Sequence, residues 1–190
     1  MINVTPRSIK TVLSAIGLLF LTGCTSMAPS YFPDIDGIDA KKQLPLKGMA
    51  ANKFSLSNMN VNKVTLRANT MKSPYGDSYA DYLRQALVEE LRVSGFFDKN
   101  SDIVITGTLK VNNVDASGIS EGEAKLTAEF KVTDSGVEIY NKSHSIHHTW
   151  ESSFLGGVAI SAAVNNYPLA MQKLVNSFLN DAELHQALKQ

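Results

Sequence analysis

The chain has 190 residues, with 18 basic and 18 acidic side chains, 44% hydrophobic residues and one cysteine. That length suits a single domain with an adequate core. Balanced charge removes the electrostatic footprint of a nucleic-acid binder, and a lone thiol excludes an intramolecular disulfide.

The first ten residues carry Arg7 and Lys10 and no acid, and an apolar run from Thr11 to Leu21 follows. This is the basic and then apolar layout of a secretory signal peptide. The run is about half the 20 or so apolar residues that a bilayer-spanning helix needs. It closes on Leu21-Thr22-Gly23-Cys24. These four residues resemble the bacterial lipobox, in which a branched apolar residue and small residues precede an obligatory cysteine. The resemblance implies cleavage before Cys24, acylation of its thiol and new amine, and attachment to a membrane through Cys24. A cysteine that merely fills a core needs no such approach. Residues 1–23 are therefore expected to be a signal peptide, and the mature chain keeps 18 acidic against 16 basic side chains. Position 25 is Thr rather than Asp, which by the same resemblance implies passage to the outer membrane.

From residue 24 to residue 45 the sequence mixes Pro29, Pro33, Asp34, Gly37, Lys41 and Lys42 without a sustained period. That composition predicts a lipidated flexible tether, with a single domain over 46–190. Apolar residues at 59, 61, 64 and 66 change parity, so Asn58 to Arg67 is expected to form a bulged first strand. Ser78 with Asp81 marks a helix start, and Tyr79, Tyr82, Leu83, Ala86, Leu87 and Leu91 recur at helical spacing up to Gly95. Asp77, Asp81, Glu89 and Glu90 read as its solvated face.

Three strands should follow. Ile103, Ile105, Leu109 and Val111 are assigned to one face, and Asp115 to Gly122 to a polar loop. Between Ala124 and Val132 every even position is apolar and every odd one polar, the period of a sheet with one dry and one wet face. Asp134-Ser135-Gly136 supplies a turn into Val137 to Trp150, where a shift of apolar parity predicts another bulge. Met171, Leu174, Val175 and Phe178 fall at helical spacing behind Pro168, and Asn180 to Glu183 can cap a short last helix. The expected class is α+β: a mostly antiparallel four-stranded sheet with two main helices on one face, in the order β-α-β-β-β-α.

No chemistry stands out. His144 and His148 share a strand face but lie about 13 Å apart at about 3.3 Å per residue, and His147 points the other way. Zinc ligands sit about 2 Å from the metal, so no metal site is expected. Ser152-Ser153 lacks a nucleophile elbow. No catalytic residue and no cofactor is assigned, and the chain is expected not to be an enzyme.

The layout from lipobox to the closing run "AVNNYPLAMQKLVNSFLNDAELHQAL" resembles the YajG-type lipoproteins of Gram-negative bacteria. More loosely, it is similar to small α+β lipoproteins that assist lipid or lipopolysaccharide transport. The resemblance implies a lipid-anchored, periplasm-facing accessory domain of the outer membrane, with an envelope protein as partner and no nucleic acid. The alternative is a carrier holding a lipid or other amphiphile between helices and sheet. Phe154 to Val164 is apolar almost throughout. Phe154, Leu155, Val158 and Ile160 are thus candidates for an interaction surface, against the reading of a buried connector.

Overall fold

A computed structural model describes residues 25–35 and 37–189. Cys24 and the expected signal peptide lie outside the described residues. In chain order the elements are β1 (Thr25–Met27), α1 (Ile38–Lys42), β2 (Ala50–Leu56), a 3-10 turn (Met59–Asn62), β3 (Val64–Leu66), β4 (Asn69–Lys72), α2 (Tyr79–Val93), β5 (Ile103–Asp115), β6 (Glu121–Asp134), β7 (Val137–Glu151), α3 (Gly156–Leu179) and α4 (Ala182–Ala187).

The four-stranded sheet runs β2-β5-β6-β7. β5, β6 and β7 form an antiparallel meander, while β2 lies parallel to β5. A parallel neighbour needs a crossover, and α2 lies in the connection between the two. α2 packs over β2 and β5, and α3 over β6 and β7. The class is α+β with two main helices, and both sheets are mixed. The second sheet, β1-β4-β3, pairs β1 parallel and β3 antiparallel with β4.

β6 follows its sequence period: Ala124, Leu126, Ala128, Phe130 and Val132 are fully buried. Phe130 stacks on Phe178 of α3 at 4.3 Å and 12°, so sheet and helix meet ring on ring. On β5 a bulge between Leu109 and Val111 changes the parity. Val111, expected on the dry face, is turned outward, and Asn112 and Val114 are buried in its place. On β7 the register shifts where Val132 pairs with Tyr140 and Thr133 with Glu138, which puts the expected bulge at Ile139.

α2 starts where the capping signal lies, with the Asp81 N–H donating to Ser78 Oγ at 3.1 Å. It ends before Gly95, whose φ of +81° is the left-handed conformation that glycine adopts without steric cost.

Two expected elements are differently placed. The first strand of the main sheet is Ala50–Leu56, whereas Asn58 to Arg67 folds as a 3-10 turn and then β3 of the smaller sheet. Pro168 does not open a helix but sits inside the 24-residue α3, which takes in the apolar segment before it. No described helix is long and apolar enough to cross a membrane.

Candidate functional site

The segment expected to be a tether is fastened to the domain. β1 begins at Thr25, paired with Thr70 of β4. Ser26 Oγ accepts from Asn69 Nδ2 at 2.6 Å, and the Ala28 N–H donates to the Lys72 carbonyl at 2.8 Å. The Tyr82 hydroxyl donates to the Pro29 carbonyl, and the Tyr31 N–H to the Tyr75 hydroxyl, both at 2.9 Å. Farther on, the Tyr31 hydroxyl and Lys41 Nζ, at 2.6 Å, both donate to Glu90. Glu90 is fully buried, not part of a solvated helix face. The Asp34 N–H also donates to it at 3.2 Å, and the Asp34 carboxylate lies 3.6 Å from Lys41. Burial, reinforced by the Glu90 carboxylate, pushes the Tyr31 phenol far above its ordinary value. A buried carboxylate is tolerated only with its charge and lone pairs answered, and here three donors answer them. Sequence reading misses this because the partners lie 49 to 59 residues from Glu90.

Where β1 begins, Arg67 turns the chain between β3 and β4 with φ of +56°. Its guanidinium donates to four carbonyls: Ala116 at 2.7 Å, Gly118 at 3.3 Å, Ser153 at 2.7 Å and Phe154 at 3.0 Å. The Ser152 N–H donates to the Ser120 carbonyl at 2.8 Å. One side chain thereby binds the β5–β6 loop to the β7–α3 loop, and the planar fork of arginine suits this many acceptors.

The two loops and the first turn of α3 present large apolar side chains outward. Ile119 is 74% exposed, Phe154 71%, Leu155 53% and Val158 54%. Of the four residues expected to form a surface, Phe154, Leu155 and Val158 face outward, while Ile160 is partly buried against the core. Ala159 and Ala163 bury the opposite side of the helix, so the segment is amphipathic and not a wholly buried connector. Neither glycine is forced by crowding: a Cβ on Gly157 meets nothing within 4 Å, and one on Gly156 meets Arg67 at an ordinary 3.7 Å. Ile119 carries no period of its own in a polar loop, and Arg67 reads as the tail of a strand.

Large side chains pack between the helices and the sheet. Tyr79, Tyr82 and Tyr167 are at most 1% exposed, and the Tyr167 ring lies 5.3 and 5.2 Å from the other two. The Tyr167 hydroxyl donates to Asn112 Oδ1 at 3.0 Å, and Asn112 Nδ2 donates onward to the Val61 carbonyl at 3.1 Å. Two surface hollows are present, one at Ala50, Asn52 and Lys99 and one at Phe32, Ile35 and Leu169.

The histidines serve the fold. His148 accepts from Lys173 at 2.8 Å through Nδ1 and faces Asn166 Oδ1 at 3.0 Å through Nε2, which fits a neutral ring. His144 meets the Tyr140 hydroxyl at 2.7 Å beside Asp181, the N-cap of α4. Burial lowers both histidines. For Asp181 burial pulls upward, but the hydrogen bonds from Lys142 and from the Glu183 and Leu184 amides prevail and hold it below the usual carboxylate range. His147 is exposed and pairs with Glu123 at 2.7 Å. Among the described residues no three His, Cys, Asp or Glu side chains are grouped to hold a metal ion.

The fold has solved counterparts. A protein from Xanthomonas campestris of the family described as DUF330 superposes with a TM-score of 0.62 at 12% identity, covering 87% of this chain and 98% of that one. Lower matches are a Caulobacter crescentus protein provisionally named a lipoprotein (TM-score 0.43, 14% identity, 56% of this chain and 80% of that one) and a minor lipoprotein from Acinetobacter baumannii (0.40, 13%, 70% and 94%). The likeness to the Xanthomonas protein is one of fold alone. The sequence matches no family model and no curated protein.

Proposed function

We propose that this chain is a lipid-anchored protein of the outer membrane, facing the periplasm. It acts there as a non-enzymatic accessory or interaction domain in envelope assembly or transport, in the manner of the YajG-type lipoproteins it resembles. Leu21-Thr22-Gly23-Cys24 supports the anchor. The observation that carries the accessory role over the carrier is the packing between helices and sheet. That layer is packed with Tyr79, Tyr82, Tyr167, Phe130 and Phe178. A carrier needs an apolar cavity that takes up most of its ligand's surface.

Mass spectrometry of the protein extracted from membranes in mild detergent tests this reading. A co-purifying envelope protein in fixed ratio is expected. A stoichiometric amphiphile that survives detergent exchange, with no protein partner, would overturn the accessory role in favour of the carrier.

A further inference from the structure

The exposed apolar cluster and the expected point of lipid attachment lie at one end of the molecule. Thr25 is bonded to Cys24 and is already in a strand, one spacing of about 4.8 Å from Thr70. Thr70 follows Asn69 at the end of the β3–β4 hairpin, where Leu66 and Asn69 flank the turn that contains Arg67. The side chain of Arg67 reaches from that turn to the carbonyls of Gly118, Ser153 and Phe154. The start of β1, the turn and both apolar loops are thus joined in a few hydrogen-bonded steps. The tether expected from the sequence is docked along β4 and α2 from Thr25 onward, so one peptide bond separates Cys24 from the first strand.

We propose that Ile119, Phe154, Leu155 and Val158 form a membrane-seating surface that enters the headgroup and acyl boundary of the same leaflet that holds the lipid on Cys24. The proposal rests on the anchored reading above. A domain acylated one residue before its first strand cannot swing its near end away from the lipid, so apolar side chains at that end meet the interface whenever the anchor is inserted. Large apolar residues on an amphipathic first helical turn beside the acyl chains add a second contact to the lipid chains themselves.

The charges indicate the kind of surface. Asp115, Glu121 and Glu151, all exposed, stand at the strand ends beside the two loops, which carry no lysine or arginine of their own. Arg67, which reaches both loops, is committed to carbonyls, and Lys125 nearby on β6 pairs with Glu123. Glu121 and Glu151 stand directly opposite each other on β6 and β7, a like-charge pair that costs stability unless something cationic meets it. An anionic surface repels this rim. A zwitterionic surface such as phosphatidylethanolamine, with outward ammonium groups, complements it.

The test uses the full chain produced in cells and reconstituted into vesicles of phosphatidylethanolamine and phosphatidylcholine doped with brominated lipid. With Cys24 consumed by acylation, a cysteine introduced as Leu155→Cys is the sole free thiol and takes an environment-sensitive fluorophore. Val137→Cys is the control, at an exposed position at the far end of β7. The expected result is that the chain floats with the vesicles, that the label at 155 shifts to the blue and loses emission to the brominated lipid, and that the label at 137 does neither. Flotation with the label at 155 unquenched would overturn the seating surface and leave the anchor standing. Quenching at both positions would overturn the assignment of this end to the membrane. A chain that does not float would overturn the anchored reading and the seating surface together.

Discussion

Glu90 is the residue at which local sequence logic and the folded chain part company. On α2 it neighbours Glu89, which is partly exposed and pairs with Arg92 in the ordinary manner of a helix surface. One position on, the same side chain type is fully buried because Tyr31, Asp34 and Lys41 are brought over it. Removing one partner of such a pair strands the other charge. Glu90→Gln is therefore expected to cost about 3 kcal/mol in urea unfolding, since buried Lys41 then keeps only the more exposed Asp34 carboxylate, 3.6 Å away, as a counter-charge. Glu90→Gln combined with Lys41→Met should recover a large part of that loss, because the replaced pair is uncharged and retains much of its volume. A double variant as unstable as the single one would mean that the loss comes from disturbed packing rather than from an uncompensated charge.

At the scale of elements, legibility follows the contrast between two faces. β6 is central in the sheet, dry on one side and wet on the other, and its alternation from Ala124 to Val132 places every residue correctly. β2 lacks that contrast. Of Ala50–Leu56 only Phe54 is buried, a register shift interrupts its pairing with β5, and the strand lies at the sheet edge. Nothing in "AANKFSL" distinguishes it from a loop. The stretch from residue 25 to residue 45 fails for a related reason: its burial comes from scattered residues, Ala28, Tyr31 and Lys41, fixed by hydrogen bonds to distant elements and not by a period. Of the candidate surface, Phe154, Leu155 and Val158 were legible as an excess of apolar residues. Arg67 and Ile119 were not, since their roles depend on loops far apart in sequence.

β7 carries a pH dependence. His144 and His148 are both 8% exposed and lowered by burial, so the folded state holds them neutral while the unfolded chain binds protons near pH 6.5. Their contribution to stability is complete above about pH 6.5 and is lost as pH falls through the lowered folded values. Asp181 contributes in a separate, more acidic window, with its stabilisation present above the ordinary carboxylate value and lost as pH falls through the depressed one. The melting temperature is thus expected to drop between pH 7.5 and 5.5, and less so in His144→Gln, which keeps a polar partner for Tyr140 but does not titrate. An equal drop in both proteins would remove His144 from the account.

For the whole molecule, the docking of the segment after Thr25 replaces the expected flexible tether with one fixed on the domain. The 15 residues of β7 span about 45 Å at about 3.3 Å per residue. If one end seats on lipid beside Cys24, the β6–β7 turn at Ser135 and Gly136 stands well out in the periplasm, available to an envelope partner. All of this depends on the chain being processed and acylated at Cys24, so the most direct measurement is the intact mass of protein isolated from membranes of cells fed labelled fatty acid. The account predicts a chain that begins at Cys24, carrying label and the added mass of acyl chains, and an unlabelled, unprocessed product for Cys24→Ser. An unlabelled wild-type chain that retains residues 1–23 would contradict it.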